Sequence, residues 1–441
     1  GAGHGRFGFL CATHLKEMAQ RGTFVSKQWS YLLTDVANSN IDFWQKHEAF
    51  QPLIDEGCVD FARFEAGKDT SLVTKVTGAC IDTSRPTEHL VIIANYFFDS
   101  LPLDVWKVND GKLSSCAPVF KLQKTATCND PGNIEILGQL ELDWELEEKT
   151  AADYADVRLN GIVDGLAKSI DTGAFTIPRG AFQTIEQLNS WSSNGCLLLV
   201  SDKGYSREAD LAGRPLPKME KHGCFSFSLN FCALQRWFIE HGGMSLVPTY
   251  RHELVSTSAF ATRSAESLPR LRYEYLERSG SFTPDDYHQL TRRLDEASPD
   301  MRACLSALRL SGCEPQMLYR LRRNIRSNLK DCGSYDRNDL RELLPRVMQN
   351  FFHLDELDVP FAVGLIYQRM GDFDLAVAHY NESIRYFGAK VITLTNMASC
   401  LKELNQLDES KELLDRALAM SPDDIEAVAL RQQLNLDLST P

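Results

Sequence analysis

None of the 12 cysteines stands at Cys-x-x-Cys spacing from another. That spacing marks zinc sites and thioredoxin-type redox centres. Without it, the expectation is scattered, reduced, mostly buried thiols in a reducing compartment and no metal site. No run nears the ~18 consecutive apolar residues of a membrane span, and no secretory leader is expected. Positive charge is also short: Lys+Arg number 47 against 60 Asp+Glu, a net charge of −13. Phosphate-backbone binding needs a basic footprint, so nucleic acid is not expected as a partner. What remains is ordinary for a globular chain, with 43% apolar and 24% charged residues. The 441 residues are enough for roughly three domains at ~150 residues each. An intracellular location, cytoplasmic or mitochondrial, is expected.

Residues 1–8 form a glycine-rich turn, with Gly1, Gly3 and Gly5 in alternation. Such turns follow a strand and open a helix, letting the backbone approach a ligand at the helix N-terminus. The helix is legible in Phe7, Leu10, Cys11, His14, Leu15 and Met18. A strand is expected to precede Gly1. Phe24-Val25, then Trp29 to Asp35, reads as a strand ending in an acid, placed where an acid hydrogen-bonds ribose hydroxyls in a βαβ nucleotide-binding unit. Phe43 to Leu53 has helical spacing. Val59 to Ala66 reads as the next strand, with Glu65 near its end. His89 to Asn95 is an apolar run expected to be buried on both faces. Gly195 to Asp202 repeats that pattern. Strands separated by helical stretches indicate an open α/β sheet, whose ligand sits beyond the strands' C-terminal ends.

The segment Ala94-Asn95-Tyr96-Phe97-Phe98-Asp99-Ser100-Leu101-Pro102 resembles a motif of the MidA family of class I S-adenosylmethionine (SAM)-dependent methyltransferases. Leu198 to Tyr205, containing Asp202 and Gly204, is similar to the family's strand-5 segment. His222 to Ser226 and Asn230 fall where further family motifs lie. The resemblance covers about residues 1–260. Tyr96 stands where the family has Glu, and Lys203 where it has Tyr. The family includes a mitochondrial complex I assembly methyltransferase that modifies a protein arginine. The resemblance implies a Rossmann-like α/β methyltransferase sheet with SAM as cofactor. It places Gly1, Gly3 and Gly5 near the methionine moiety, Asp35 on the ribose diol, Glu65 with Ala66 at the adenine amino group, and Asn95 near the sulfonium. Tyr96, Phe97 and Asp99 would line the acceptor side.

Methyl transfer from a sulfonium is an in-line displacement that needs positioning and no metal. Asp99 and Asp202 are the candidate groups to orient the nucleophile and take up its proton. Asp99 is equally readable as a helix N-cap. Residues 103–190 exceed a simple crossover. Within them, Val105 to Leu113 reads as a hairpin turning at Asn109-Asp110-Gly111, and Gln139 to Glu148 alternates as a half-buried strand. This insertion is expected to form a lid or substrate-facing layer, or to serve packing alone.

Beyond about residue 260 the pattern is all-helical. Residues 261–352 read as a helical linker or degenerate repeats, and 353–441 as tetratricopeptide (TPR)-like repeats. Thr283-Pro284, Ser298-Pro299-Asp300 and Ser421-Pro422 read as N-cap and Pro at three helix starts. Arg320, Arg322, Arg323, Arg326 and Lys330 lie opposite Leu318, Leu321, Ile325 and Leu329, an amphipathic helix with a solvated basic face. Gly364, Tyr367, Gly371, Ala376 and Tyr380 recur, shifted by the ~34-residue TPR period, as Ala398, Leu401, Asn405, Ser410 and Leu414. Helix stacking of this kind offers a concave surface to a protein partner. The functional expectation is a methyltransferase acting on a protein, with arginine one possible target, recruited by the repeats. Two other classes stand beside it: a non-catalytic assembly or binding factor with a methyltransferase fold, and a small-molecule methyltransferase.

Overall fold

The computed structural model describes residues 1–22, 29–127, 130, 132–133, 135–221, 225–249, 255–263, 268–279, 282–296, 298–354 and 357–439. Phe24, Val25 and His222 to Cys224 lie outside the described residues. Two compact units are formed, Gly1–Leu290 and Thr291–Pro441. The division falls inside the segment 261–352.

The first unit mixes helices and sheets. The glycine turn opens α1 (Arg6–Gln20), which lies against β1 (Tyr31–Asp35). A Cβ on Gly8 would stand 2.7 Å from the Leu33 side chain, so only a glycine allows helix and strand to approach this closely. Next come α2 (Asn38–Lys46) and β2 (Val59–Arg63). β2 runs parallel to β1, with Tyr31 opposite Val59 and Asp35 opposite Arg63. The expected helix from Phe43 to Leu53 is interrupted: α2 ends before His47, whose ring accepts from the Ala49 N–H, and a short helix restarts at Gln51. Proline at its first turn favours that restart. Trp44, Phe50 and Phe61 are fully buried between these elements, each contributing ~1.5–3 kcal/mol of hydrophobic stabilisation.

The chain continues through β3 (Leu90–Asn95), β4 (Asp104–Asn109), β5 (Lys112–Leu122), β6 (Leu140–Lys149), α3 (Val157–Lys168), β7 (Gly173–Ile177), α4 (Arg179–Ser190), β8 (Cys196–Asp202), α5 (Phe231–Glu240), β9 (Met244–Leu246) and β10 (Ser256–Ala261). One sheet has the order β9-β10-β8-β3, with β8 parallel to β3 and antiparallel to β10. The second, β6-β5-β4-β7, is antiparallel throughout and falls within the insertion. Its hairpin turns at Asp110 and Gly111, both at positive φ (50° and 76°), the conformation of a tight two-residue hairpin loop. The two sheets share a core with α3, α4 and α5 built on Phe175, Ile185, Leu198, Leu234 and Phe238.

The β3 strand departs from expectation. Val91 is 58% exposed and Ile93 37%, so the run is not buried on both faces. Among the described residues β3 pairs only with β8, and its other edge has no strand beside it.

After α6 (Pro269–Arg278) and α7 (Pro284–Glu296), the second unit contains α8 (Met301–Leu310), α9 (Pro315–Asn328), α10 (Ser334–Gln349), α11 (Val359–Met370), α12 (Phe373–Phe387), α13 (Val391–Glu403), α14 (Leu407–Met420) and α15 (Ile425–Ser439). The Thr283 start is as read: Thr283 and Asp286 cap each other and Pro284 opens α7. The other two start later than read. Asp300 caps α8, accepting from the Ala303 N–H at 2.8 Å, and Asp424 caps α15, accepting from Ala427 at 2.9 Å. In both the carboxylate takes the orphan N–H that the preceding serine was expected to take. Leu318, Leu321, Ile325 and Leu329 are buried.

The 34-residue repeat has a physical basis at each matched position. Gly371 and Asn405 both take left-handed φ, 84° and 61°, where Gly and Asn are favoured. Ala376 and Ser410 are both fully buried. A Cβ on Gly364 would lie 2.8 Å from the Tyr380 ring. The second repeat places Ala398 and Leu414 at those positions, trading ring volume for the methyl group.

Candidate functional site

The glycine turn is held at the C-terminal end of β1. The nitrogens of Gly1 and Ala2 donate to the Thr34 carbonyl at 2.8 and 2.9 Å. Gly3 and Gly5 have φ of 55° and 84°. A Cβ on Gly5 would stand 2.6 Å from Trp44 Nε1, and that same nitrogen donates to the Gly3 carbonyl at 3.0 Å. Trp44 therefore fixes the turn. Nothing in the sequence marked it, because an aromatic on an amphipathic helix reads as core.

Asp35 sits under the turn, buried. Its Oδ2 accepts from the Gly3 N–H and its Oδ1 from the Ala37 N–H, both at 3.0 Å. The carboxylate thus shapes the loop, and two of its roughly four acceptor sites remain for a ligand. Glu65, just beyond β2, is engaged on both oxygens: Oε1 with Lys68 Nζ at 2.6 Å and Oε2 with Arg63 Nη2 at 2.7 Å. Lys68 and then Arg63 hold its carboxyl below the usual range. Ala66 is packed beside Trp191 and Phe64. Asn95 ends β3 opposite Ser201.

Tyr96 follows at φ 49° and is half exposed. A non-glycine residue at positive φ is strained, and such strain gathers at functional turns. The turn it begins brings Asp99 against Asp202. Asp202 Oδ2 accepts from the N–H groups of Phe98 and Asp99 at 3.1 and 3.2 Å, and Oδ1 from that of Lys203 at 3.2 Å. Asp99 is hydrogen-bonded by Ser226 and by Asp202 itself, and burial pushes its carboxyl up. Burial first, then the Asp99 charge, pushes Asp202 up to about 7. A carboxylate beside a second carboxylate and out of water favours its protonated form. Among the described residues the Asp99 side chain caps no helix: it lies inside the short turn Phe98–Ser100, whose N-cap is Phe97 and which has no side-chain cap. Lys203 pairs with Glu220 close by, and both influence Asp99.

Asp99 also lines a cleft of about 740 Å³ between this turn and the inserted sheet. Its walls include Trp106, Phe120, Trp144, Tyr154, Phe225 and Phe227. At one side Asp104 Oδ2 accepts from Tyr154 Oη at 2.8 Å and from Arg179 Nε at 3.1 Å, while Trp106 Nε1 donates to Tyr154 Oη at 3.0 Å. This polar set was not foreseen; its members are scattered across the insertion.

The sequence candidates thus gather into two groups. Gly1, Gly3, Gly5 and Asp35 form one, and Tyr96, Asp99 and Asp202 the other. They are adjacent: a Cβ on Gly1 would lie 3.1 Å from the Phe97 ring. Glu65 and Ala66 lie beyond the next strand. Among the described residues, no three His, Cys, Asp or Glu side chains are placed to hold a metal ion, and no helix is long and apolar enough to cross a membrane.

No curated protein matches the chain. Among solved structures, it is similar to the second TPR domain of the human RPAP3 protein in complex with an HSP70 peptide, with 16% identity over 27% of this chain and 98% of that one, TM-score 0.23. The first TPR of Spaghetti (RPAP3) bound to an HSP90 peptide gives 14% identity over 28% and 96%, TM-score 0.22. The Cut9-Hcn1 hetero-tetramer of APC/C gives 18% identity over 30% and 25%, TM-score 0.25. Residues 368–434 match the family model described as tetratricopeptide repeat. The C-terminal unit therefore carries tetratricopeptide repeats.

Proposed function

We propose that the chain is a SAM-dependent methyltransferase acting on a protein that its tetratricopeptide repeats recruit. The observation that carries the reading is the meeting of the glycine turn, buried Asp35 and the Asp99–Asp202 pair at the C-terminal ends of β1, β3 and β8, where open α/β sheets bind ligands. The turn suits SAM: a Cβ on Gly3 would project into open space, and Asp35 keeps acceptor capacity. Glu65 fits less well, since both its oxygens are engaged in ion pairs.

SAM supplies an electrophilic methyl group. The glycine turn admits the cofactor's backbone-side contacts, and Asp35 orients it. Asp99, at the cleft, orients the accepting group and takes its proton. Asp202 holds the Asp99 turn by accepting the N–H groups of Phe98 and Asp99. An acceptor nitrogen that must lose a proton, as a protein arginine must, suits such a base.

A second reading is a non-catalytic assembly factor; the ion-paired Glu65 and Tyr96 in place of the family Glu favour it. Isothermal titration with SAM, followed by transfer of a tritiated methyl group to a cell lysate, separates the readings. Binding with a labelled protein band is expected. Binding without transfer supports the assembly factor, label on small molecules only would reassign the substrate, and the absence of both binding and label overturns the proposal.

A further inference from the structure

The geometry points to the free edge of β6 as a docking strand for an extended segment of the protein acceptor in which basic and apolar residues alternate. It rests on the preceding reading only in taking the acceptor to be a polypeptide.

β6 is the outermost strand of the inserted sheet and, among the described residues, pairs only with β5. Successive residues of an antiparallel strand send their backbone groups to opposite edges. The Trp144 N–H is taken by its neighbour Asp143 Oδ1 at 2.9 Å, and the Leu140 carbonyl by Lys221 Nζ. Neither group faces β5, so the even-numbered residues turn outward. The backbone groups of Leu142 and Leu146 then meet no main-chain partner among the described residues. Edges of this length are normally covered or blunted.

The two faces of the strand differ in kind. Leu142, Trp144 and Leu146 share one face with Phe120, which lies opposite Leu142. Phe120 is 51% exposed and Leu146 48%. Glu141, Asp143, Glu145 and Glu147 occupy the other face. Lys121 pairs with Asp143 at 2.6 Å and Lys149 with Glu147 at 2.8 Å, so this face sets four acids against two cations and carries excess negative charge. A strand added to the edge would place its alternate side chains beside each face in turn. Apolar residues would extend the Phe120–Trp144 surface, and basic residues would meet the carboxylates across the strand. The apolar face is also the cleft wall, since Phe120 and Trp144 line the same space as Asp99. A segment held there runs beside the group that takes the proton. Acids on an edge strand also serve to repel other strands; under that role alone, no peptide binds.

The test uses the full chain without SAM and two fluorescein-labelled peptides as long as β6. One alternates Lys with Leu and Phe; the other has the same composition in blocks. Anisotropy at low ionic strength is expected to give the alternating peptide about tenfold higher affinity. Glu141→Lys with Glu145→Lys should reduce that affinity about tenfold. Leu146→Pro, which removes an outward N–H and no ladder bond, should bring it to the level of the block peptide. Should Leu146→Pro not fold, as judged by circular dichroism, the double charge reversal on exposed positions carries the test. Equal affinity for both peptides, or affinity unchanged in the variants, overturns the proposal. Association of the chain with itself through this edge, in place of peptide binding, also overturns it. Register-dependent binding without methyl transfer to any protein would remove the catalytic reading and leave the docking strand. Transfer that is indifferent to Leu146→Pro would remove the docking strand alone.

Discussion

Asp202 Oδ2 accepts the backbone N–H of Asp99 at 3.2 Å, and the two side chains also share a hydrogen bond. One carboxylate thus sets the position of the turn on which the other stands, and the Asp99 charge in turn raises the proton affinity of Asp202.

Folding stability should fall as pH rises through this pair's range. An ordinary Asp titrates near ~3.9 in the unfolded chain, whereas Asp202 titrates at about 7 when folded. Between those values the folded state holds more protons than the unfolded state, so stability declines with rising pH, at up to ~1.4 kcal/mol per pH unit per proton. The contribution is greatest below pH ~4 and is lost above the folded value. Asp202→Asn should flatten this part of the profile, as urea denaturation at a series of pH values will show. A slope unchanged by the substitution would count against the raised proton affinity of Asp202.

Asp99→Asn should slow methyl transfer by ~10²–10⁴-fold, the usual worth of a positioned base. The amide keeps the size and the Ser226 contact while giving up the proton-accepting role. SAM affinity should stay within about twofold, because Asp99 lies on the acceptor side. Wild-type turnover in the folded variant would leave Asp99 a structural residue.

Gly5→Ala should disturb the cofactor turn. The added methyl meets Trp44 Nε1 at 2.6 Å at a residue with φ 84°, so left-handed strain of ~1–2 kcal/mol adds to overpacking of ~1–3 kcal/mol. Thermal unfolding should record the loss, with weaker SAM binding in calorimetry. Gly3→Ala bears similar φ strain but meets no neighbour within 4 Å, so it should be the milder of the two.

In the repeats, Gly364→Ala sets two effects against each other. Ala gains ~1 kcal/mol in helix propensity. Its Cβ would stand 2.8 Å from the Tyr380 ring, which is fully buried and cannot withdraw; overpacking of ~1–3 kcal/mol outweighs the gain. Adding Tyr380→Leu copies the Ala398–Leu414 pair of the next repeat and should recover part of the loss. A double-mutant cycle with no coupling between the positions would contradict this account.

Patterns with a fixed period were legible in the sequence. The helical stripe of Leu318, Leu321 and Ile325, the alternation in β6, and the repeat joining Gly371 to Asn405 all follow from backbone geometry. Helix starts were less legible, because Ser298 and Asp300 are both acceptable caps and only packing decides between them. The exposure of Val91 was hidden because an apolar run does not reveal which strands lie beside it. Gly3, Asp35, Asp99 and Asp202 could be placed at strand ends. The engagement of Glu65 by Lys68 and Arg63, and the contact between Trp44 and the glycine turn, depend on side-chain directions that composition and spacing do not carry.

The insertion between β3 and β8 also sets a clock. In the repeats, Tyr380 reaches Gln368 across 12 positions, whereas the Phe98 N–H reaches Asp202 across 104. Closing the longer loop costs about 2 kcal/mol more chain entropy, so refolding should form the helical unit early and join β3 to β8 late. During synthesis at ~5–20 residues per second, the turn carrying Phe98 waits roughly 5–20 s before Asp202 is made. Through that interval an apolar strand edge is unpaired, and the nascent chain is then most exposed to mispairing and most dependent on chaperones.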